Sequence, residues 1–254
     1  MSDSHAIAAH DPHAEGHAAH PPYQRHHFVS MEQQTETTSF GMWLFLLTEI
    51  MFFGGLFTAY LIYRNWYYPA FVAASHTLDI KLGAFNTLLL ITSSFTMAMG
   101  VWCSETKRKA GLIWSLIATL ILGLGFLGIK TIEYHEKYVK DHIPGHAFPG
   151  HAFSPQGFIH PDEEALKGGE KVLAPDMAAK TEVYFSLYFA MTGMHAVHMI
   201  IGIVLLCGML IKALRGGYMD GHIAFVENFG LYWHFVDIVW IFLFPLLYLI
   251  SRHQ

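Results

Sequence analysis

The sequence predicts an all-α membrane protein built as a bundle of five transmembrane helices, and three observations support this. Apolar types make up 53% of the 254 residues and charged types only 14%, against about 25% in an average soluble domain. The apolar residues fall into five runs, each with the ~20 residues needed to cross the hydrocarbon core of a membrane. Aromatic residues cluster near several ends of these runs, as expected at a membrane interface.

The five predicted spans cover about 40–63, 82–104, 110–133, 183–211 and 227–251. The first contains a single charge up to Tyr63, Glu49, and the last has Asp237 near its middle. The alternative is a very hydrophobic soluble helical bundle. It is disfavoured because buried core helices of soluble proteins are usually shorter than these runs.

The first 39 residues are polar and contain no apolar run, so a cleavable signal peptide is not expected. This predicted tail is rich in histidine: His5, His10, His13, His17, His20, His26 and His27. Copper or zinc binding is one interpretation. A solvated flexible tail is favoured over it, because no cysteine or fixed helix organises the rings.

A long loop, predicted over 134–182, connects the third and fourth spans. It contains a tandem repeat, Pro144–Phe148 followed by Pro149–Phe153, whose prolines and glycines preclude a helix. A short surface helix is possible over 162–168. The loop is interpreted as a docking or covering segment. Metal binding by its histidines is the minor alternative, through His142, His146, His151 and His160.

The short loops predict the orientation. Lys107, Arg108 and Lys109 lie between spans two and three, and Lys212 and Arg215 lie between spans four and five. Both loops fall on one side, which the positive-inside rule makes cytoplasmic. The N-terminus is then cytoplasmic and the C-terminus external. The five lysines of the external loop oppose this assignment.

Charge and cysteine content exclude several classes of protein. A net charge of −5 lacks the basic surplus that nucleic-acid binding requires. The two cysteines, Cys103 and Cys207, form no CxxC or CxxxC pair. A disulfide scaffold, a zinc knuckle and a thiolate-bridged copper centre therefore lack ligands.

Ionisable residues inside the spans are the candidate site, because burying them is costly and requires partners. His195 and His198 are spaced i, i+3, as are His234 and Asp237, so each pair shares a helix face. Helical rise places both pairs and Glu49 in one slab of the cytoplasmic half. The sequence thus predicts that Glu49 faces helices four or five, near His195, His198 or His234, in a Glu–His–Asp cluster.

Three interpretations of this cluster remain open. The first is interhelical hydrogen bonding that fixes helix register, and His234 and Asp237 are expected to be mainly structural. The second is proton handling, because a buried carboxylate beside an imidazole can exchange a proton near neutral pH. The third, haem ligation, is weak because no two spans offer suitably paired histidines.

Five motifs, in order, resemble the subunit III family of haem–copper oxidases over about residues 40–252. Residues 46–55 (LLTEIMFFGG) resemble the family helix that carries a buried glutamate, and residues 85–94 (FNTLLLITSS) resemble its next helix. Glu133 and Tyr134 match a helix-ending Glu-Tyr, although the family often has Gln where this chain has Lys130. Residues 192–202 (TGMHAVHMIIG) are similar to TGxHxxHxxxG. The closing motif is matched by Glu227 and by residues 232–240, which include Trp233 and Trp240.

The resemblance implies a non-redox subunit of a cytochrome c oxidase that reduces oxygen and pumps protons. Haem and copper are expected only in partner subunits I and II, and a respiratory supercomplex is a further possible partner. The family's third subunit supports proton delivery, protects the catalytic centre during turnover and holds phospholipid. The first two helices of seven-helix members are absent here, as in shorter bacterial members, which implies a bacterial plasma membrane.

Two other classes stay open. One is an accessory subunit of a quinol oxidase or a nitric oxide reductase, which the co-purifying subunits would identify. The other is a metal-handling membrane protein built around its histidines, which metal analysis of the isolated chain would reveal.

Overall fold

The computed structural model describes residues 30–139, 144, 175–216 and 223–250 of the chain. These parts are helical, in the order α1 (Met31–Trp66), α2 (Tyr68–Ser75), α3 (Ile80–Glu105), α4 (Lys109–Val139), α5 (Pro175–Leu214) and α6 (Ile223–Tyr248). All except α2 are long and apolar enough to cross a membrane. The prediction of an all-α protein with five membrane-spanning helices is confirmed.

The helices run beyond the apolar spans predicted from the sequence. α1 begins within the segment 1–39, where the Ser30 side chain accepts a hydrogen bond from the Gln33 amide at 3.1 Å and caps the helix. α4 continues to Val139 and α5 begins at Pro175, both inside the segment 134–182. These extensions occur because the flanking residues are polar helix formers that an apolar pattern does not count. The tandem repeat and the short helix expected over 162–168 lie outside the described residues, apart from Pro144.

Helix α2 is absent from the predicted spans. It follows α1 directly and buries Ala70, Phe71 and Ala73 against the bundle. A hydrogen bond joins the turn after α2 to α4: the buried Lys137 side chain of α4 donates to the Thr77 carbonyl at 2.6 Å. α3 then starts at the Asp79 cap, whose carboxylate accepts from the Lys81 amide at 2.8 Å.

α5 and α6 form the centre of the bundle. α1 packs on both of them, and the hairpin of α3 and α4 packs on them through α3–α6 and α4–α5 contacts. The core between these helices is aromatic, with Trp233, Trp240, Tyr184 and Tyr188 fully buried. Gly202 makes room for the Trp233 ring, because a Cβ there would lie 2.9 Å from a ring carbon.

The five long helices define two sides of the bundle. α1, α4 and α6 begin on the side that we call the N-terminal side, where α3 and α5 end. The opposite side, which we call the C-terminal side, carries α2, the end of α4 and the end of α6.

Candidate functional site

Glu49 and His198 form a hydrogen-bonded pair between α1 and α5. The Glu49 Oε2 atom lies 3.0 Å from Nε2 of His198, and the two side chains are 19% and 10% exposed. The Phe53 ring packs on the His198 ring at 5.4 Å, and the Tyr232 hydroxyl donates to the His198 carbonyl at 2.8 Å. The expectation that Glu49 faces one of the span histidines is confirmed.

The hydrogen bond from His198 to the backbone assigns one of its two ring nitrogens as a donor. Its Nδ1 atom lies 2.8 Å from the Met194 carbonyl oxygen, which can only accept, so Nδ1 carries a hydrogen. The hydrogen bond between Nε2 and Glu49 then requires one more proton, on either the ring or the carboxyl group. The pair is neutral with this proton and carries one negative charge without it, and losing it also breaks the hydrogen bond.

An apolar groove of about 580 Å³ leads from this pair toward the N-terminal side of the bundle. It lies between α1, α5 and α6, and its lining includes Thr38, Phe45, Glu49, His198, Asn228 and Tyr232. Asn228 is buried, and its side-chain Nδ2 donor has no partner among the described residues. The groove therefore combines an apolar body with a few polar groups, which is typical of a binding site for an amphipathic molecule.

His195 does not join Glu49, although it lies three residues before His198. Its ring packs between Phe126 of α4 at 5.4 Å and Trp240 of α6 at 5.2 Å, and neither ring nitrogen has a partner in the described parts of the chain. The prediction of one Glu–His–Asp cluster is therefore wrong. At i, i+3 spacing, two side chains still diverge by about 60° around the helix axis. On the central helix α5, this divergence turns one ring toward α1 and the other toward α4.

His234 and Asp237 form a further polar site, between α6 and α3. The Nδ1 atom of His234 lies 2.6 Å from the Ser94 hydroxyl oxygen. Asp237 is 1% exposed, and its carboxyl group lies beside the Ser94 hydroxyl without a hydrogen bond of normal geometry. Asp237 thus lies in the bundle interior, one turn from His234, and does not contact Glu49.

A buried ion pair, which the sequence interpretation missed as a site, joins α4, α5 and α6 near the C-terminal side. Lys130 Nζ donates to Glu133 Oε2 at 2.9 Å, to the Tyr248 hydroxyl at 3.1 Å and to the Tyr188 hydroxyl at 3.2 Å. Both hydroxyls in turn donate to Glu133 Oε1. All three ammonium protons and both carboxylate oxygens are therefore satisfied.

Aromatic faces enclose this ion pair. Lys130 Nζ lies 4.9 Å from the ring centre of Trp240 and 5.3 Å from that of Tyr188, within the range of cation–π attraction. A signal for this site was present in the sequence, since Lys130 and Glu133 have opposite charges at i, i+3 spacing at the end of an apolar run.

The other motif residues make contacts that hold helices together. The Tyr134 hydroxyl lies 2.6 Å from the Thr192 hydroxyl, which links α4 to α5. The indoles of Trp233 and Trp240 donate to the hydroxyls of Ser93 and Thr87 on α3, at 3.0 and 3.2 Å. Glu227 lies half-buried near the start of α6.

Comparison with known proteins decides the family. A family model described as cytochrome c oxidase subunit III matches residues 170–252. Cytochrome c oxidase subunit 3 of Synechocystis is 30% identical over 239 residues, which cover 93% of this chain and 80% of that protein. Quinol oxidase subunit 3 of Bacillus subtilis is 30% identical over 227 residues, covering 87% and 92%. This chain belongs to the subunit III family of haem–copper oxidases.

A search for metal ligands covers only the parts of the chain that the structure describes. Across these ranges, no group of three or more His, Cys, Asp or Glu side chains could hold a metal ion. The histidines of the tail and those named as possible loop ligands lie outside these ranges. Among the buried polar groups, the Glu49–His198 pair and Asn228 line the apolar groove.

Proposed function

We propose that this chain is the non-redox subunit III of an oxygen-reducing, proton-pumping terminal oxidase, in which it contacts subunits I and II. In this role it supports proton uptake on the cytoplasmic face, retains phospholipid and stabilises the catalytic subunit. The observation that carries the proposal is the Glu49–His198 pair, which holds one exchangeable proton at the inner end of a groove.

The positive charges of the chain support a cytoplasmic position for this groove. The turn between α3 and α4 carries Lys107 and Arg108. Lys212 lies in the last turn of α5, and Arg215 follows the helix directly. Both pairs lie on the N-terminal side, so the positive-inside rule orients this side toward the cytoplasm. The groove reaches from Thr38 to Glu49, about 16 Å along α1. It thus connects the pair with the side from which a bacterial oxidase takes protons.

The same groove supports the proposal that the chain retains phospholipid. Its walls are mainly apolar, with Met42, Phe45, Ile201, Leu205 and Phe225 among them. An acyl chain fits such walls, and the unpartnered Nδ2 donor of Asn228 suits an ester carbonyl oxygen. A phospholipid here would occupy a space that neighbouring helices leave open.

Composition of the purified complex tests the assignment. We expect the tagged chain, isolated in mild detergent, to retain a larger subunit that carries haem and copper. Mass spectrometry would identify the subunits and metal analysis the cofactors. Copper or haem bound in stoichiometric amount by the isolated chain would instead support a metal-handling protein.

The electron donor is the point on which a second candidate function has support. Relatives named for cytochrome c oxidase and for quinol oxidase reach the same 30% identity. A co-purifying subunit with a copper-binding CxxxC motif, or a fused cytochrome c, would indicate a cytochrome c oxidase. A complex without either, oxidising quinol, would indicate a quinol oxidase.

Glu49→Gln tests the proton role of the pair. Glutamine can still hydrogen-bond to His198, but it removes the carboxyl group that can take up and release a proton. Raising the pH lowers the supply of protons. We therefore expect oxygen consumption by the variant complex to begin falling at a lower pH than in the parent, while haem and copper contents stay equal.

Glu36→Gln is the matched control, because Glu36 is an exposed acid on the same helix, outside the apolar span. Its pH profile should follow that of the parent. An unchanged profile for Glu49→Gln, in a complex that retains the subunit, would show that the pair only joins α1 to α5.

A further inference from the structure

His234 is an unusual residue on the outside of the bundle. It lies near the middle of the 26-residue helix α6 and is only partly buried. Nδ1 is satisfied by Ser94, but Nε2 has no hydrogen-bond partner among the described residues. Whichever of the two nitrogens carries the hydrogen, Nε2 still requires an acceptor or a donor. Hydrocarbon supplies neither.

Four exposed threonines in the spans do not pose this problem. The hydroxyls of Thr48, Thr58, Thr92 and Thr131 each donate to a backbone carbonyl three or four residues earlier, at 2.7–2.8 Å. They therefore face lipid with their hydrogen bonds made. An imidazole nitrogen that points away from its own helix cannot reach a backbone carbonyl of that helix. Nε2 of His234 therefore needs a hydrogen-bonding group from another molecule.

The surface around His234 is a continuous strip of partly or fully exposed residues. α6 contributes Leu231, His234, Ile238 and Ile241, and α3 contributes Ile91, Ser94 and Ala98. The spacing of three and four residues places each set on one helix face. We call this surface the His234 strip. α1 packs on a different part of α6, where Phe53 meets Phe235 with ring centres 6.3 Å apart.

We propose that the His234 strip is where this chain binds another subunit of its oxidase, through a membrane-spanning helix that presents a hydroxyl, amide or carboxyl group to Nε2 of His234. This inference rests on the proposed function for the existence of such a partner. The small side chains of Ser94 and Ala98 let a helix approach closely, and close packing is what drives helix association in lipid.

Photocrosslinking in the native membrane tests the location of the contact. A photoreactive phenylalanine analogue replaces Ile238, which is 49% exposed and one turn from His234. The control carries it at Ile121, which is 63% exposed on α4. We expect Ile238 to cross-link to one specific oxidase subunit, and Ile121 not to cross-link to that subunit.

Two results would overturn the proposal. One is a complex that retains the chain while Ile238 cross-links only to lipid, which leaves the proposed function standing. The other is a cross-link at Ile238 to a second copy of this chain. If no oxidase subunit co-purifies with the unmodified chain, the proposed function itself fails.

Substitution of His234 tests the hydrogen bond. His234→Phe keeps an aromatic ring without nitrogen, and His234→Gln keeps hydrogen-bonding groups. We expect the phenylalanine variant to release the subunit at lower detergent concentration than the parent and the glutamine variant to restore most of the retention. Equal amounts of both variants in the membrane would show that folding is unaffected. Equal retention of both would overturn the role of Nε2.

Discussion

Lys130→Met is expected to destabilise the folded chain by about 3–5 kcal/mol, the usual cost of breaking a buried ion pair from one side. The substitution leaves the carboxylate of Glu133, 3% exposed, in the bundle without its cation. The hydroxyls of Tyr188 and Tyr248 would still donate to it, but they do not neutralise its charge. Since α4, α5 and α6 meet at this point, the loss should loosen the C-terminal half of the bundle.

The measurement is the temperature at which the subunit leaves the purified complex, together with the amount of chain in the membrane. Lys81→Met is the matched control, because Lys81 is exposed at the start of α3 and its replacement should change little. The double variant Lys130→Met, Glu133→Gln removes both charges and should recover most of the loss. A single variant as stable as the parent would show that the tyrosine hydroxyls alone satisfy Glu133.

Removing the whole chain from the complex is expected to have the largest effect on turnover. In the proposed function, haem and copper belong to the partner subunits and not to this chain. The stripped complex should therefore begin to reduce oxygen with unchanged metal content. Its rate should then decay several-fold faster during turnover. The fall in rate should also begin at lower pH, because the proton supply proposed for the Glu49–His198 pair is lost.

Oxygen consumption against time at several pH values, with metal content measured on the same samples, checks this prediction. Loss of haem or copper on stripping would mean that the chain contributes to a cofactor site. If the rate, the pH profile and the lifetime are all unchanged, the chain is only an assembly contact, and the proton role of Glu49 fails with it. Adding the purified chain back should restore the parent behaviour.

Much of the candidate site was accessible from the sequence because burial of charge in a membrane requires a partner. Glu49 was expected to face a span histidine, and it bonds to His198. Which histidine it meets could not be predicted, since His195 and His198 are only about 4.5 Å apart along α5 and about 60° apart around it. That angle decides the outcome, because His198 meets Glu49 of α1 while His195 meets Phe126 of α4.

The Lys130 site could be predicted only in part, because most of its partners are distant in the sequence. Its ion pair has a local signal, but the hydroxyls that complete it lie 58 and 118 residues away along the chain. Likewise, the contact of His234 with Ser94 joins positions 140 residues apart. The residue pattern within one helix cannot predict such pairs, because they depend on the register of α6 against α3 and α5.

The sequence by itself determined that the chain crosses a membrane with five helices, which residues are too costly to leave unpaired there, and which family its motifs resemble. These properties follow from the hydropathy, length and local spacing of each segment, which require no knowledge of neighbouring helices. Only the tertiary structure decided that the ionisable residues divide into separate sites. It also decided that tyrosines and a tryptophan enclose Lys130, and that one nitrogen of His234 remains on the outer surface. These outcomes depend on how each helix is rotated and packed against its neighbours, because an angle of about 60° separates one partner from another.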